Sequence, residues 1–193
     1  MFVEQKRYER YASAKKPAKK TAVLTCMDTR LTELLPAALN FKNGDGIIIK
    51  NAGALITHAF GSVMRSLLVA VYELGVEDIL VIGHYDCGVK GLDASKMLQK
   101  MRERGIDADF LEPNSFPVGR GLAPAAGRLA DASDERVINC CGVDLHQWLQ
   151  GFESVEISVA ETVKAIKSHP LIPSDIGVYG FIMDPETGRL DEV

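Results

Sequence analysis

The chain has 193 residues, within the roughly 100–200 of one domain, and a chain this size buries about 70% of its unfolded surface without disulfide staples. With 47% hydrophobic residues, 25% charged residues and a net charge of −4, it has the composition of an ordinary globular protein. That balance gives no reason to expect a nucleic-acid partner, and no apolar run approaches the roughly 20 residues of a membrane span.

Residues 1–20 carry seven Lys or Arg against two Glu, a local charge of +5 in an otherwise acidic chain. They lack the apolar run and small-residue cleavage site of a secretory signal, so a reducing cytoplasm is the expected location. Residues 4–16 read as a helix ended by Pro17. A basic helix of this kind either docks on a partner subunit or presents a solvated face.

Three short apolar runs follow, each too short for a helix and suited to a buried strand: Thr21–Thr25, Gly46–Lys50 and Asp78–Ile82. Between the last two, residues 64, 67, 68, 71 and 74 form an apolar stripe at helical spacing, predicting a helix over 62–74 stopped by Gly75. A second helix is predicted over about 93–104, with Asp93 as N-cap. A third is predicted over 154–168, its end marked by Lys164, Lys167, His169 and Pro170. A last strand, Gly177–Ile182, precedes the turn Asp184–Gly188. Strands alternating with helices predict an α/β fold with a central, mainly parallel β-sheet flanked by helices. The stretch 112–135, with three Pro and three Gly, reads as a long surface loop or insertion within a single domain spanning 1–193.

Four cysteines, at 26, 87, 140 and 141, do not make a disulfide framework in a chain this long. The adjacent Cys140 and Cys141 read as buried small residues rather than a metal or redox pair. Cys26 and Cys87 lie in more telling places. Cys26-Met-Asp28-Thr-Arg30 begins where the first strand ends, and His84-Tyr-Asp-Cys87-Gly88 where the third ends. In open α/β sheets, sites form at the carboxyl ends of strands, so both motifs and the Asn51-Ala52-Gly53 loop face one crevice. Two thiolates and an imidazole suit a tetrahedral Zn2+, and three protein ligands with a fourth place for solvent is the catalytic pattern. With both thiolates the ion is formally neutral, so bound water ionises less readily than at a site built from neutral imidazoles, where its pKa is about 7. Asp28 can itself take the fourth position. Arg30 can hold that carboxylate bidentately and keep the position open.

At these residues the chain resembles the β-class carbonic anhydrases. The resemblance rests on Cys26-x-Asp28-x-Arg30, His84-x-x-Cys87-Gly88 and the Asn51-Ala52-Gly53 loop. It covers residues of about 20–105 and resumes over about 150–182, including His169–Pro173. It implies zinc held by Cys26, His84 and Cys87, with Asp28 and Arg30 as a gating pair and Asp28 the fourth ligand in a closed state. It also implies reversible hydration of CO2 to bicarbonate and a proton by zinc-bound hydroxide, in a homodimer or higher homo-oligomer whose N-terminal helix packs on the partner. Ala52, Gly53 and Gly88 are the expected substrate-binding positions. The chain departs from the family pattern at Tyr85, where Ser or Thr is common, at Lys50, where Arg is common, and in the 112–135 stretch. Two other uses of the site are open: hydrolysis of carbon disulfide or carbonyl sulfide at the same zinc, and zinc binding without catalysis. His58, His146, His169 and Tyr85 are the candidates for relaying the proton, and each histidine also reads as a capping or surface residue.

Overall fold

A computed structural model describes residues 1–106, 139–140 and 143–193. The predicted 112–135 insertion and Cys141 lie outside the described residues. Two compact units are present, one formed by residues 1–90 and 152–193, the other by 91–151.

The first unit is built on a five-stranded sheet. Its strands are β1 (Thr21–Cys26), β2 (Gly46–Asn51), β3 (Asp78–His84), β6 (Gly177–Met183) and β7 (Leu190–Glu192), in the order β2-β1-β3-β6-β7. The first four are parallel and β7 is an antiparallel edge strand. All six residues of β1 are buried, as a strand covered on both faces requires. Three helices flank the sheet: α1 (Leu31–Ala38), α2 (Ser62–Tyr72) and α5 (Val155–Lys167). On one face Ala22, Leu24, Ile79 and Val81 pack with Met64 and Leu67 of α2 and Val155, Val159 and Ile166 of α5. On the other, Val23 and Ile82 pack with Leu31 and Leu35 of α1. Helix α5 lies very close to the sheet: a Cβ on Gly83 would stand 2.7 Å from Val159 Cγ2 and 2.8 Å from Val155 Cγ2. Glycine is therefore the residue that lets helix and strand meet immediately before His84.

The second unit contains α3 (Ala94–Glu103), a short antiparallel pair β4 (Asn139–Cys140) and β5 (Val143–Asp144), and α4 (Leu145–Leu149). Asp93 caps α3 by accepting from the backbone N–H groups of Ser95 and Lys96, as its position predicts. Ser154 caps α5 in the same way, through the N–H of Ile157.

Three elements depart from the sequence reading. The predicted helix over 4–16 is instead a series of turns with one 3-10 turn at Glu9–Tyr11, and Lys6 has a φ of +50°. All sixteen residues before Pro17 are exposed. A short helix with no buried face lacks the packing that stabilises helices of this length in water. Helix α1 was not anticipated because Pro36 sits inside it. Two buried leucines one turn apart, Leu31 and Leu35, offset the backbone bond that proline removes. Strand β7 is three residues long, and its Leu-Asp-Glu sequence has no strand signature.

Candidate metal centre

Parallel pairing brings the chemistry to one sheet edge. Cys26 is the last residue of β1, paired with Asn51, the last of β2. His84 ends the adjacent β3. Beyond β3 the chain turns tightly through Asp86, at φ +53°, and returns Cys87 beneath the same edge.

Cys26 Sγ, Cys87 Sγ and a His84 ring nitrogen all lie within 4.8 Å of one another, and all three residues are buried. The sulfurs are 3.8 Å apart. Two thiolates on one tetrahedral zinc, with Zn–S of about 2.3 Å, stand roughly 3.8 Å from each other. The imidazole is set for the same purpose. His84 Nδ1 is 2.8 Å from the Tyr85 carbonyl oxygen, so Nδ1 carries the hydrogen and Nε2 the lone pair. Among the described residues, His84 Nε2 is the one buried side-chain nitrogen or oxygen without a hydrogen-bond partner. A buried acceptor left empty costs about 1–3 kcal/mol unless something binds it. These donors fit zinc, the ion of the family the motifs resemble.

The charges show the same strain. The Cys26 thiol is lowered to about 4, first by the bond from Cys87, against the effect of burial. The backbone N–H groups of Asp28 and Gly53 lower it further. Cys87 is pushed up, first by Cys26 and then by burial. Two thiols in contact share one proton, so the first ionisation is easy and the second is opposed. A divalent cation between them removes that opposition.

Beside this group stands Asp28, with Oδ2 3.8 Å from His84 Nε2. Arg30 holds the carboxylate with two parallel bonds, Nε to Oδ1 at 3.1 Å and Nη2 to Oδ2 at 2.9 Å. The Arg30 backbone N–H adds a third, to Oδ1 at 2.9 Å. The Arg30 side chain is the main reason the Asp28 carboxyl is lowered to about 2. Lys50 Nζ, where arginine is common in the family pattern, donates to the Asp28 carbonyl and to Thr32 Oγ1, both at 3.3 Å.

The loop after β2 is a locked turn. Asn51 closes it by donating from Nδ2 to the Leu55 carbonyl and accepting the Leu55 N–H at Oδ1. Gly53, at φ +82°, takes a left-handed conformation that glycine adopts freely, and Ala54 follows it at φ +59°. The Gly53 backbone N–H helps to lower the Cys26 thiol. Gly53 is buried, whereas Ala52 and Gly88 are exposed.

Cys26, Asp28, Arg30, Gly53, His84 and Cys87 are thus brought together. Of the proton-relay candidates, His169 is buried with both nitrogens engaged: Nδ1 accepts from the Leu171 N–H and Nε2 donates to the Ala59 carbonyl. Tyr85 donates its hydroxyl to Asp191 on β7. His146 is bonded to Ser95 within its own unit. His58 is exposed and accepts the Phe60 N–H. One participant was missed from the sequence: Asp86, which binds Arg30 from the His84–Cys87 turn.

Comparison with known proteins fixes the family. A sequence model described as carbonic anhydrase matches residues 21–115. The Bacillus subtilis protein YvdA, provisionally named a carbonic anhydrase, is 47% identical over 192 residues, covering 100% of this chain and 85% of YvdA. The chain belongs to the β-carbonic anhydrase family. The fold agrees: β-carbonic anhydrase isoform I of Trichomonas vaginalis superposes with a TM-score of 0.74 at 27% identity, covering 98% of this chain and 92% of that one. A carbon disulfide hydrolase of Acidithiobacillus thiooxidans is also related, at 28% identity over 168 residues, 87% of this chain and 74% of the relative.

Proposed function

We propose that the protein is a carbonic anhydrase that catalyses the reversible hydration of CO2 to bicarbonate and a proton, with zinc held by Cys26, His84 and Cys87. The observation that carries this reading is the buried, unpartnered His84 Nε2 beside two sulfurs at the spacing of zinc-bound thiolates. When bound, zinc supplies the Lewis acidity that makes water nucleophilic near neutral pH. Arg30 holds the Asp28 carboxylate, which would leave it beside a bound ion rather than on it, and keeps it ionised. Asp28 Oδ2 has one donor on it, so it retains a lone pair to accept a hydrogen bond from the attacking water and aim that water at CO2. Released from Arg30, the same carboxylate would be free to serve as a fourth ligand. The reading keeps Ala52, Gly53 and Gly88 as the substrate-binding positions, small residues that suit a small apolar molecule.

A zinc module without catalysis has no use for a carboxylate pinned beside the open position, and the Asp28–Arg30 pair therefore supports an enzyme. The reading extends to a homodimer or higher homo-oligomer. It is supported by the exposed Val69 and Tyr72 on α2 and Ile48 on the edge strand β2. It also includes a single domain over 1–193 with an insertion at 112–135, and a cytoplasmic location, where the free thiols of Cys26 and Cys87 stay reduced. Among the described residues, no helix is long and apolar enough to cross a membrane.

The test is turnover of CO2 and of carbon disulfide by the same zinc-loaded sample. Fast CO2 hydration that grows from pH 7.0 to 8.5, with slower release of sulfide from carbon disulfide, supports the assignment. Sulfide release without CO2 hydration reassigns the site to sulfur substrates.

A further inference from the structure

Arg30 does more than hold Asp28. Its Nη1 donates to Asp86 Oδ2 at 3.0 Å and its Nη2 to the Asp86 carbonyl oxygen at 2.9 Å. Nε and the other Nη2 hydrogen serve Asp28. The guanidinium thus spans two loops 56 residues apart in sequence, one carrying Cys26 and the other carrying His84 and Cys87. Asp86 is held in the left-handed region, at φ +53°, a conformation that costs energy in any residue but glycine and is tolerated best by Asn and Asp. That conformation presents the Asp86 carbonyl and carboxylate to the same guanidinium. The side chain is 86% exposed. Its contact with Arg30 is its visible use.

We propose that Asp86 is a positioning residue: it anchors Arg30 from the second ligand loop so that Arg30 keeps the Asp28 carboxylate beside, rather than on, the fourth metal position. A free arginine side chain samples many rotamers and follows its carboxylate wherever that carboxylate moves. Fixed at its far end, the guanidinium is a rigid fork, and Asp28, whose Oδ2 stands 3.8 Å from His84 Nε2, must break two parallel bonds to turn onto the metal position. Asp86 therefore sets the balance between open and closed states without touching metal or substrate. This rests on the zinc reading above and adds a residue to it.

The experiment uses Asp86→Gly, which relaxes the left-handed backbone, and Asp86→Asn, which keeps an acceptor without the charge. Each is made alone and on an Arg30→Ala background. Cobalt(II), loaded in place of zinc, reports the ligand set through its visible spectrum, and zinc-loaded samples give kcat and KM. In Asp86→Gly the cobalt spectrum at pH 7 moves toward a carboxylate-ligated form, and adding Asp28→Asn abolishes that movement. Its kcat falls about three- to tenfold, the scale of one charge-assisted bond partly screened by water, while KM changes less. Asp86→Asn lies between Asp86→Gly and the unaltered protein. On the Arg30→Ala background, Asp86→Gly has no further effect, because it acts through Arg30. The inference is overturned if Asp86→Gly matches the unaltered protein in spectrum and kcat, if the spectral change survives Asp28→Asn, or if its effect is undiminished without Arg30. A protein that binds cobalt but hydrates no CO2 defeats the functional reading alone, and the cobalt spectra still decide the role of Asp86.

Discussion

Helix α5 lies close against the sheet one residue before His84, a proposed metal ligand, so packing and function meet at Gly83. In Gly83→Ala the new Cβ falls 2.7 Å from Val159 Cγ2 and 2.8 Å from Val155 Cγ2. Carbon atoms pack best at about 3.5–4.0 Å, so α5 must shift by the better part of an ångström or both valines must leave their rotamers. Overpacking of this kind costs about 1–3 kcal/mol. For a chain of this length that lowers Tm by about 2–12 °C. Removing Val159 Cγ2 relieves half of the clash. Val159→Ala alone is destabilising because it leaves a cavity. The double variant Gly83→Ala with Val159→Ala should lose less than the two single losses added together, by about 0.5 kcal/mol or more. Urea unfolding of the four metal-free proteins measures this cycle. A Gly83→Ala protein as stable as its parent, or strict additivity in the cycle, would refute the packing argument.

Three further outcomes follow from the site and its surroundings. The Asp28 carboxyl titrates at about 2 in the folded protein, against about 3.9 in an unfolded chain. Its pairing with Arg30 therefore contributes fully above pH 4 or so and is lost as pH falls toward 2. In the metal-free protein, Arg30→Ala should flatten the loss of urea stability between pH 5 and 2.5, and an unchanged slope would contradict the pairing. His169 is a structural tie from the end of α5 to the Ala59 carbonyl, so His169→Ala should cost about 1–3 kcal/mol by leaving buried partners unsatisfied. Its hydration rate per bound zinc should stay within about twofold of its parent in dilute buffer; a rate restored only by concentrated imidazole buffer would make His169 a proton relay after all. Cys26→Ser should bind zinc far more weakly while keeping the sheet intact, as read by metal competition and circular dichroism.

Much of this was legible in the chain because parallel strands are buried on both faces and so read as unbroken apolar runs. Thr21–Thr25, Gly46–Lys50 and Asp78–Ile82 each extend by one or two residues in the structure, to the residue that carries or pairs with a ligand. The metal group was legible because its residues stand directly after those runs. What escaped depends on contacts distant in sequence. Pro36 argues locally against a helix that Leu31 and Leu35 stabilise by burial. The N-terminal segment reads as a helix, but all sixteen residues before Pro17 are exposed among the described residues, so no buried face stabilises it. Asp86 looks like a spacer between His84 and Cys87, and only the turn at φ +53° reveals its bonds to Arg30. The tie made by His169 is equally invisible, because its partner is a backbone carbonyl 110 residues away.

The central claim is that Cys26, His84 and Cys87 hold one zinc on which CO2 hydration depends. Stopped-flow hydration beside zinc analysis of the same samples, for the unaltered protein and Cys87→Ala, tests it most directly. The account predicts one zinc per chain with fast hydration in the former, and loss of both in the latter. Hydration that persists in Cys87→Ala without zinc, or an unaltered protein that carries one zinc and hydrates no CO2, would contradict it.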